Sequence, residues 1–200
     1  GTYSYKLSTG DTIVITPAAS ATVTHVAEGE VTNAFSYTLE HADQYSNVTK
    51  TEGDLSITVA TLTVTTESAE KAYDGSALTA PGTVTGYKNN ETATFTVTGY
   101  RIPVGESTNS YTLVFDKTAA STDYTISENL GTLKVTANTT GLTIVSATDS
   151  KEYDGTALTA PTYTITYGEG EDAESGTATA NEDGTYSYKL STGDTIVITP

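Results

Sequence analysis

The chain has no cysteine, methionine or tryptophan, only three phenylalanines, and nine basic residues against 25 acidic ones. Without cysteine there are neither disulfides nor thiolate metal sites. Bacterial surface modules often do without disulfides, whereas small secreted animal domains usually lean on them. Leucine is scarce as well, which leaves no material for a helical core. The formal charge of −16 argues against a nucleic-acid partner, because phosphate binding needs clustered Lys and Arg. An anionic membrane surface would also repel the chain. No apolar run approaches the roughly 20 residues that span a bilayer, so no membrane insertion is expected in this segment. No signal peptide is visible, and the chain opens at Gly1 inside a strand-like pattern, so both ends read as cuts.

What the sequence does have is threonine and period-two alternation. The hydrophobic fraction is 36 %, below the half usual for a globular protein. Thr makes up much of the deficit, with a methyl that packs and a hydroxyl that stays wet. Alternating, β-branched runs recur throughout: DTIVIT, ATVTHV, LSITVATLTVTT, ATFTVTGY, SYTLVF, GTLKVT and LTIVSA. Turn signals separate them at Tyr73-Asp74-Gly75, Tyr153-Asp154-Gly155, Asn89-Asn90 and Glu182-Asp183-Gly184. Only HADQYSNVTK and KTAASTDY are suited to a helical turn, and neither supports a stable helix. The expected fold is all-β: small immunoglobulin-like β-sandwich modules end to end, with barrel-like or β-grasp-like modules as alternatives. Junctions such as GTLKVTANTTGLTIVSA are short, which predicts a semi-rigid rod.

Repetition is the strongest signal. Residues 1–17, GTYSYKLSTGDTIVITP, recur unchanged as residues 184–200, an offset of 183. The parent protein is therefore expected to be an array with that period. An older repeat lies inside it: KAYDGSALTAP at 71–81 and KEYDGTALTAP at 151–161 are offset by 80. GEVTNAFSYTLE at 29–40 resembles GESTNSYTLVF at 105–115, and DQYSNVTKTEGDLSITV at 43–59 parallels DYTISENLGTLKV at 123–135. This parse gives one complete module at 61–138. Residues 1–60 are the back half of a longer module, and 139–200 are its front half, with an insertion around 168–184.

In their order, KAYDGSALTAP, TGYKNNETATFTVTGY, GESTNSYTLVF and DYTISENLGTLKV resemble a Tyr-Asp-Gly-type tandem β repeat of Gram-positive cell-wall-anchored, adhesin-like proteins. The likeness covers 71–136 closely and the flanks more loosely. It implies an extracellular, cell-surface stalk or ligand-binding repeat that is not an enzyme. The partners it implies are neighbouring copies of the same repeat, or a host surface glycan or protein. An extracellular filament assembled head to tail by module completion is a further reading, since half-modules would expose unpaired strand edges. Some Gram-positive stalk modules carry autocatalytic Lys–Asn isopeptide bonds, which makes Lys71 (or Lys151), Asn109 and Glu106 candidates for one.

The remaining chemistry is sparse. His25, in the ATVTHV strand, and His41, opening a loop, are the only histidines, and no nucleophile-elbow motif accompanies them. Ordinary surface roles are expected of both, and the abundant carboxylates sit mostly in turns. The acidic loop 168–176 offers Glu169, Glu171, Asp172 and Glu174 as hard oxygen ligands for Ca²⁺. It lacks the alternating Asp spacing of a calcium loop, so a solvated charge run is the simpler expectation. No other cofactor is implied. In the Tyr-Asp-Gly turns, Asp bonds backbone two residues on, Gly supplies positive φ, and Tyr caps the core. The sequons at Asn47, Asn90 and Asn138 are what a Thr-rich chain yields by accident.

Overall fold

A computed structural model describes residues 1–200. In chain order the strands are β1 (Tyr3–Lys6), β2 (Thr12–Pro17), β3 (Val31–Asn33), β4 (Phe35–Leu39), β5 (Gly53–Leu55) and β6 (Ala60–Thr66). Next come β7 (Ala69–Ala72), β8 (Gly82–Thr85), β9 (Thr94–Val97), β10 (Gly105–Thr108), β11 (Tyr111–Val114), β12 (Tyr124–Asn129) and β13 (Thr132–Thr136). The last six are β14 (Leu142–Ser146), β15 (Tyr163–Tyr167), β16 (Glu174–Thr177), β17 (Thr179–Ala180), β18 (Tyr186–Lys189) and β19 (Thr195–Ile198). They make seven sheets of two or three strands, and none closes into a barrel. The protein is thus all-β, without the barrel-like closure offered as an alternative. No helix is long and apolar enough to cross a membrane.

Alternation explains the strands. Along β6, Leu62, Val64 and Thr66 are buried while Thr61 and Thr65 are exposed; along β13, Leu133 and Val135 turn inward. Each such apolar side chain contributes about 1.5–3 kcal/mol by leaving water. Turn residues behave as their chemistry dictates: Asn89 and Asn90 adopt φ of 47° and 58°, and Gly184 adopts 86°.

Two expected strands do not form as drawn. ATVTHV is irregular and ends in a 3-10 turn at Val26–Glu28, so His25 sits at a turn and not in a strand. The amides of Thr24 and His25 donate to Glu28 Oε1, so a side chain takes the donors a ladder would have used. LSITVA is a strand only as far as Leu55, and residues 56–59 have no partner strand. The two segments expected to hold a helical turn do so, at Ala42–Gln44 and Ser121–Asp123, but a third turn forms at Gly170–Asp172 besides that at Val26–Glu28.

The chain divides into two compact units: residues 1–65, 83–96 and 112–129, and residues 66–82, 97–111 and 130–200. Residues 61–138 therefore contribute to both, while 1–60 lie in the first and 139–200 in the second. In the first unit, β6 lies between β8 and a parallel β12, with Leu62, Ala119 and Tyr124 as its core. The first unit also holds the sheets β1–β2–β4 and β3–β5. In the second unit, β13 takes β10 antiparallel on one edge and β7 parallel on the other, over Leu78, Leu133 and Val135. The sheets β14–β15–β16 and β17–β18–β19 enclose Ile165, Ala178 and Leu190.

Candidate functional site

The two Tyr-Asp-Gly turns fold alike. Gly75 and Gly155 take φ of 79° and 78°, the left-handed region that favours glycine. Asp74 Oδ1 accepts from the Ser76 amide at 2.9 Å and hydroxyl at 2.8 Å, and Lys71 Nζ donates to it at 2.7 Å. Asp154 Oδ1 accepts the amide and hydroxyl of Thr156 at 2.9 and 2.8 Å, with Lys151 Nζ at 2.9 Å. The Lys71 ammonium, helped by the Ser76 bonds, holds the Asp74 carboxyl down at about 2. Asp154 is lowered by Lys151 and Thr156 in the same way. The tyrosines diverge: Tyr73 packs on Leu78, Leu133 and Val135 and donates to Asp194 Oδ1 at 2.9 Å, whereas Tyr153 is 94 % exposed.

The three isopeptide candidates are not brought together. Lys71 is committed to Asp74 and Ser76. Glu106 pairs in register with Lys134, which reaches Glu70 at 3.2 Å. Lys71 is in register with Val135 and so points to the other face of that sheet. Asn109 lies beyond the end of β10 and is fully buried. Its Nδ2 donates to Glu67 O at 2.9 Å and Ala80 O at 3.0 Å, while Thr66 Oγ1 donates to Asn109 O at 2.7 Å and accepts from the Gly131 amide. Asn109 is thus a staple joining residues 66–80 to 109–131. A Cβ on Gly99 would overlap it, so Gly99 is the residue that admits it.

The acidic loop does not converge either. No three His, Asp or Glu side chains in the molecule meet as a metal site. Glu169, Glu171 and Asp172 flank or form the 3-10 turn, while Glu174 Oε2 accepts the Ser191 amide at 3.0 Å, and the Ser191 hydroxyl and amide together lower its pKa. Each histidine bonds one aspartate through Nδ1: His25 to Asp123, and His41 to Asp11 at 2.8 Å. These aspartates raise both imidazoles above their ordinary value. Asp123 also accepts the Val26 amide, and Asp11 also accepts the Tyr45 hydroxyl, so both pairs tie loops together.

The repeated segments carry the most information, because the same residues meet different surroundings. Residues 1–17 and 184–200 form the same hairpin in the same register: Tyr3↔Ile15 and Tyr5↔Ile13 in one, Tyr186↔Ile198 and Tyr188↔Ile196 in the other. Their outer partners are opposite. In the first copy β2 pairs with β4 and β1 is the open edge. In the second copy β18 pairs with β17 and β19 is the open edge. Tyr3 and Tyr5 are 68 % and 67 % exposed, while Tyr186 and Tyr188 are half-buried over Ile165 and Leu190.

The same complementarity runs through the older repeat. Leu62 and Val64 are fully buried, but their counterparts 80 residues on, Leu142 and Ile144, are each 48 % exposed. Every residue from 141 to 159 is exposed. The antiparallel pair β10–β13 recurs as β3–β5, with Asn33↔Gly53 standing where Asn109 meets Gly131. The parallel partners are missing: β5 has no counterpart of β7, and β14 has none of β12. Asn33 itself is exposed. Sequence reading finds the repeats and singles out Asn109 for a bond whose partners the structure keeps apart; it passes over Asn33, whose signal is its place in the shared Gly-Glu-x-Thr-Asn pattern.

No family model, curated protein or solved structure matches this chain.

Proposed function

We propose that this chain is a non-catalytic structural segment of a long, repetitive extracellular surface protein, a stalk of small sandwich-like β modules. The observation that carries this is the exact hairpin repeat, which folds in one register at both positions. A module that keeps its internal geometry while its neighbours change is suited to tandem repetition. Supporting it, the titratable groups that stand out serve turns: the Lys71–Asp74 and Lys151–Asp154 clamps and the two His–Asp ties. The resemblance to cell-wall-anchored repeats supplies the extracellular, cell-surface setting. Binding of a host glycan or protein through exposed tyrosines is less well supported. Tyr3 and Tyr5 are open only where Tyr186 and Tyr188, the same residues of the repeat, are covered.

The test is length. Chains of one, two and three 183-residue periods are compared by small-angle scattering. A constant increment in maximum dimension per period is the expected result, and a dimension that saturates as chains compact contradicts it.

A further inference from the structure

We propose that residues 139–200 of one repeat and residues 18–60 of the next complete a single module, with β18–β19 of the first replacing β1–β2 of the second against β4. This deepens the stalk reading by naming the joint between repeats and its register, and it rests on the β-module interpretation of the chain.

Three separate features point to the same occupant. The first is the hairpin. The seat on β4 is held by residues 12–17, with Ile13↔Leu39, Val14↔Thr38 and Ile15↔Tyr37. Residues 195–200 are the same sequence, so they fit that seat with no change of contact. The exchange places Ile196 opposite Leu39, Val197 opposite Thr38 and Ile198 opposite Tyr37. The incoming hairpin brings β17 with it, and its tyrosines are already packed. One sheet then reads β17–β18–β19–β4, and the open edge of β19 is gone.

The second feature is the parallel ladder. Inside residues 61–138, β12 runs parallel to β6 and β13 runs parallel to β7 at one constant offset. The counterparts of β6 and β7 are β14 and residues 149–152; those of β12 and β13 are residues 45–50 and 53–59. Each half thus lacks the strands that the other carries. Transferring the register of Leu133↔Ala69 and Val135↔Lys71 sets Leu55 opposite Asp149 and Ile57 opposite Lys151. The exposed Leu142, Ile144, Leu158 and Ile57 would then occupy positions that are buried as Leu62, Val64, Leu78 and Val135. Apolar side chains left in water on both halves supply the drive for association.

The third feature is the staple. Asn109 bonds the carbonyls of Glu67 and Ala80. By the same offset, exposed Asn33 meets the carbonyls of Ala147 and Ala160 of the preceding repeat. Polar and apolar complementarity then agree on one geometry.

The chain lacks cysteine, so a disulfide trap is unambiguous. Val197→Cys and Thr38→Cys chains are mixed in equal amounts and mildly oxidised, since directly opposed antiparallel residues lie within disulfide reach. The expected product is a dimer linked through positions 197 and 38, absent when Val104→Cys replaces Thr38→Cys. A dimer formed instead with Ser4→Cys would mean that open edges meet side by side, which overturns the exchange. Monomer mass at every concentration, with no linked dimer, also overturns it while leaving the stalk function standing. Ile144→Asp gives a second readout. The site is exposed in the free chain, so circular dichroism and melting are expected to hold, while dimer yield falls roughly tenfold or more. An unchanged yield contradicts burial of Ile144 at the joint.

Discussion

Residues 1–17 and 184–200 are one sequence in two surroundings. Both copies make the same hairpin, so that much is local: alternating Tyr and Ile on one face, and a turn closed by Leu7 with Asp11 or Leu190 with Asp194. What differs is everything the hairpin leans on. One copy has β4 and bare tyrosines; the other has β17 and tyrosines set over Ile165, Tyr186 lying 5.0 Å ring to ring from Tyr163. Secondary structure here follows from the segment, whereas burial follows from its neighbours. Leu62 against Leu142 shows the same separation, since both lie in strands and only one lies in a core.

That contrast is sharpest at the two leucines. Leu62→Ala removes a fully buried side chain and is expected to cost about 2–5 kcal/mol. Leu142→Ala, on an exposed strand, is expected to stay within about 0.5 kcal/mol in the monomer. Urea midpoints of the two variants measure the difference directly. Equal losses would mean that β14 is packed in solution as tightly as β6.

Asn109→Ala comes next. It removes both staple bonds and leaves the Glu67 and Ala80 carbonyls short of a donor in a buried site, at about 1–3 kcal/mol. Asn33→Ala, from an exposed position, is expected to leave the monomer's midpoint unmoved. A matching loss at both asparagines would end the distinction drawn between buried Asn109 and exposed Asn33.

Legibility divided along the same line. Strand identity was readable wherever alternation met a turn signal, as in DTIVIT, GTLKVT and LTIVSA, and the glycine-based turns fell where Gly75, Gly155 and Gly184 required them. ATVTHV alternates just as well, yet Glu28 captures the amides of Thr24 and His25 and the segment turns. That competition depends on a side chain three residues on, which periodicity does not weigh. The candidate bond between Lys71 and Asn109 was illegible for a different reason. Sequence places both in one module, but only the register shows Lys71 four rungs from the Asn109 end and Glu106 on the opposite face. The role of Asn109 as a staple depends on its burial, and burial was the least readable property of this chain.

The smallest effects are those of pH, and both turn copies should show them alike. Asp74 and Asp154 have lowered folded values, so their contribution is full above the ordinary carboxylate range and is lost as pH falls through the folded value, about 2 for Asp74. His25 and His41 are raised, so their ties contribute fully below the ordinary histidine value and fade as pH rises through the folded value. Melting temperature is therefore expected to dip at both ends, modestly, because all these groups face solvent. His41→Gln and His25→Gln together should flatten the decline above neutrality. A decline that survives in the double variant would assign it to other groups.

The most direct measurement joins the two halves covalently. Because residue 200 repeats residue 17, a chain running 61–200 and then 18–60 spans one 183-residue period with a single hairpin between both sets of partners. Light scattering across a concentration range and hydrogen exchange are read on this chain. The expected result is a monomer at all concentrations, with the amides of residues 142–146 and 53–59 protected to the level of 62–66 and 132–136. Continued association, or amides at 142–146 that exchange as fast as in the original chain, would contradict the claim that these halves belong to one module.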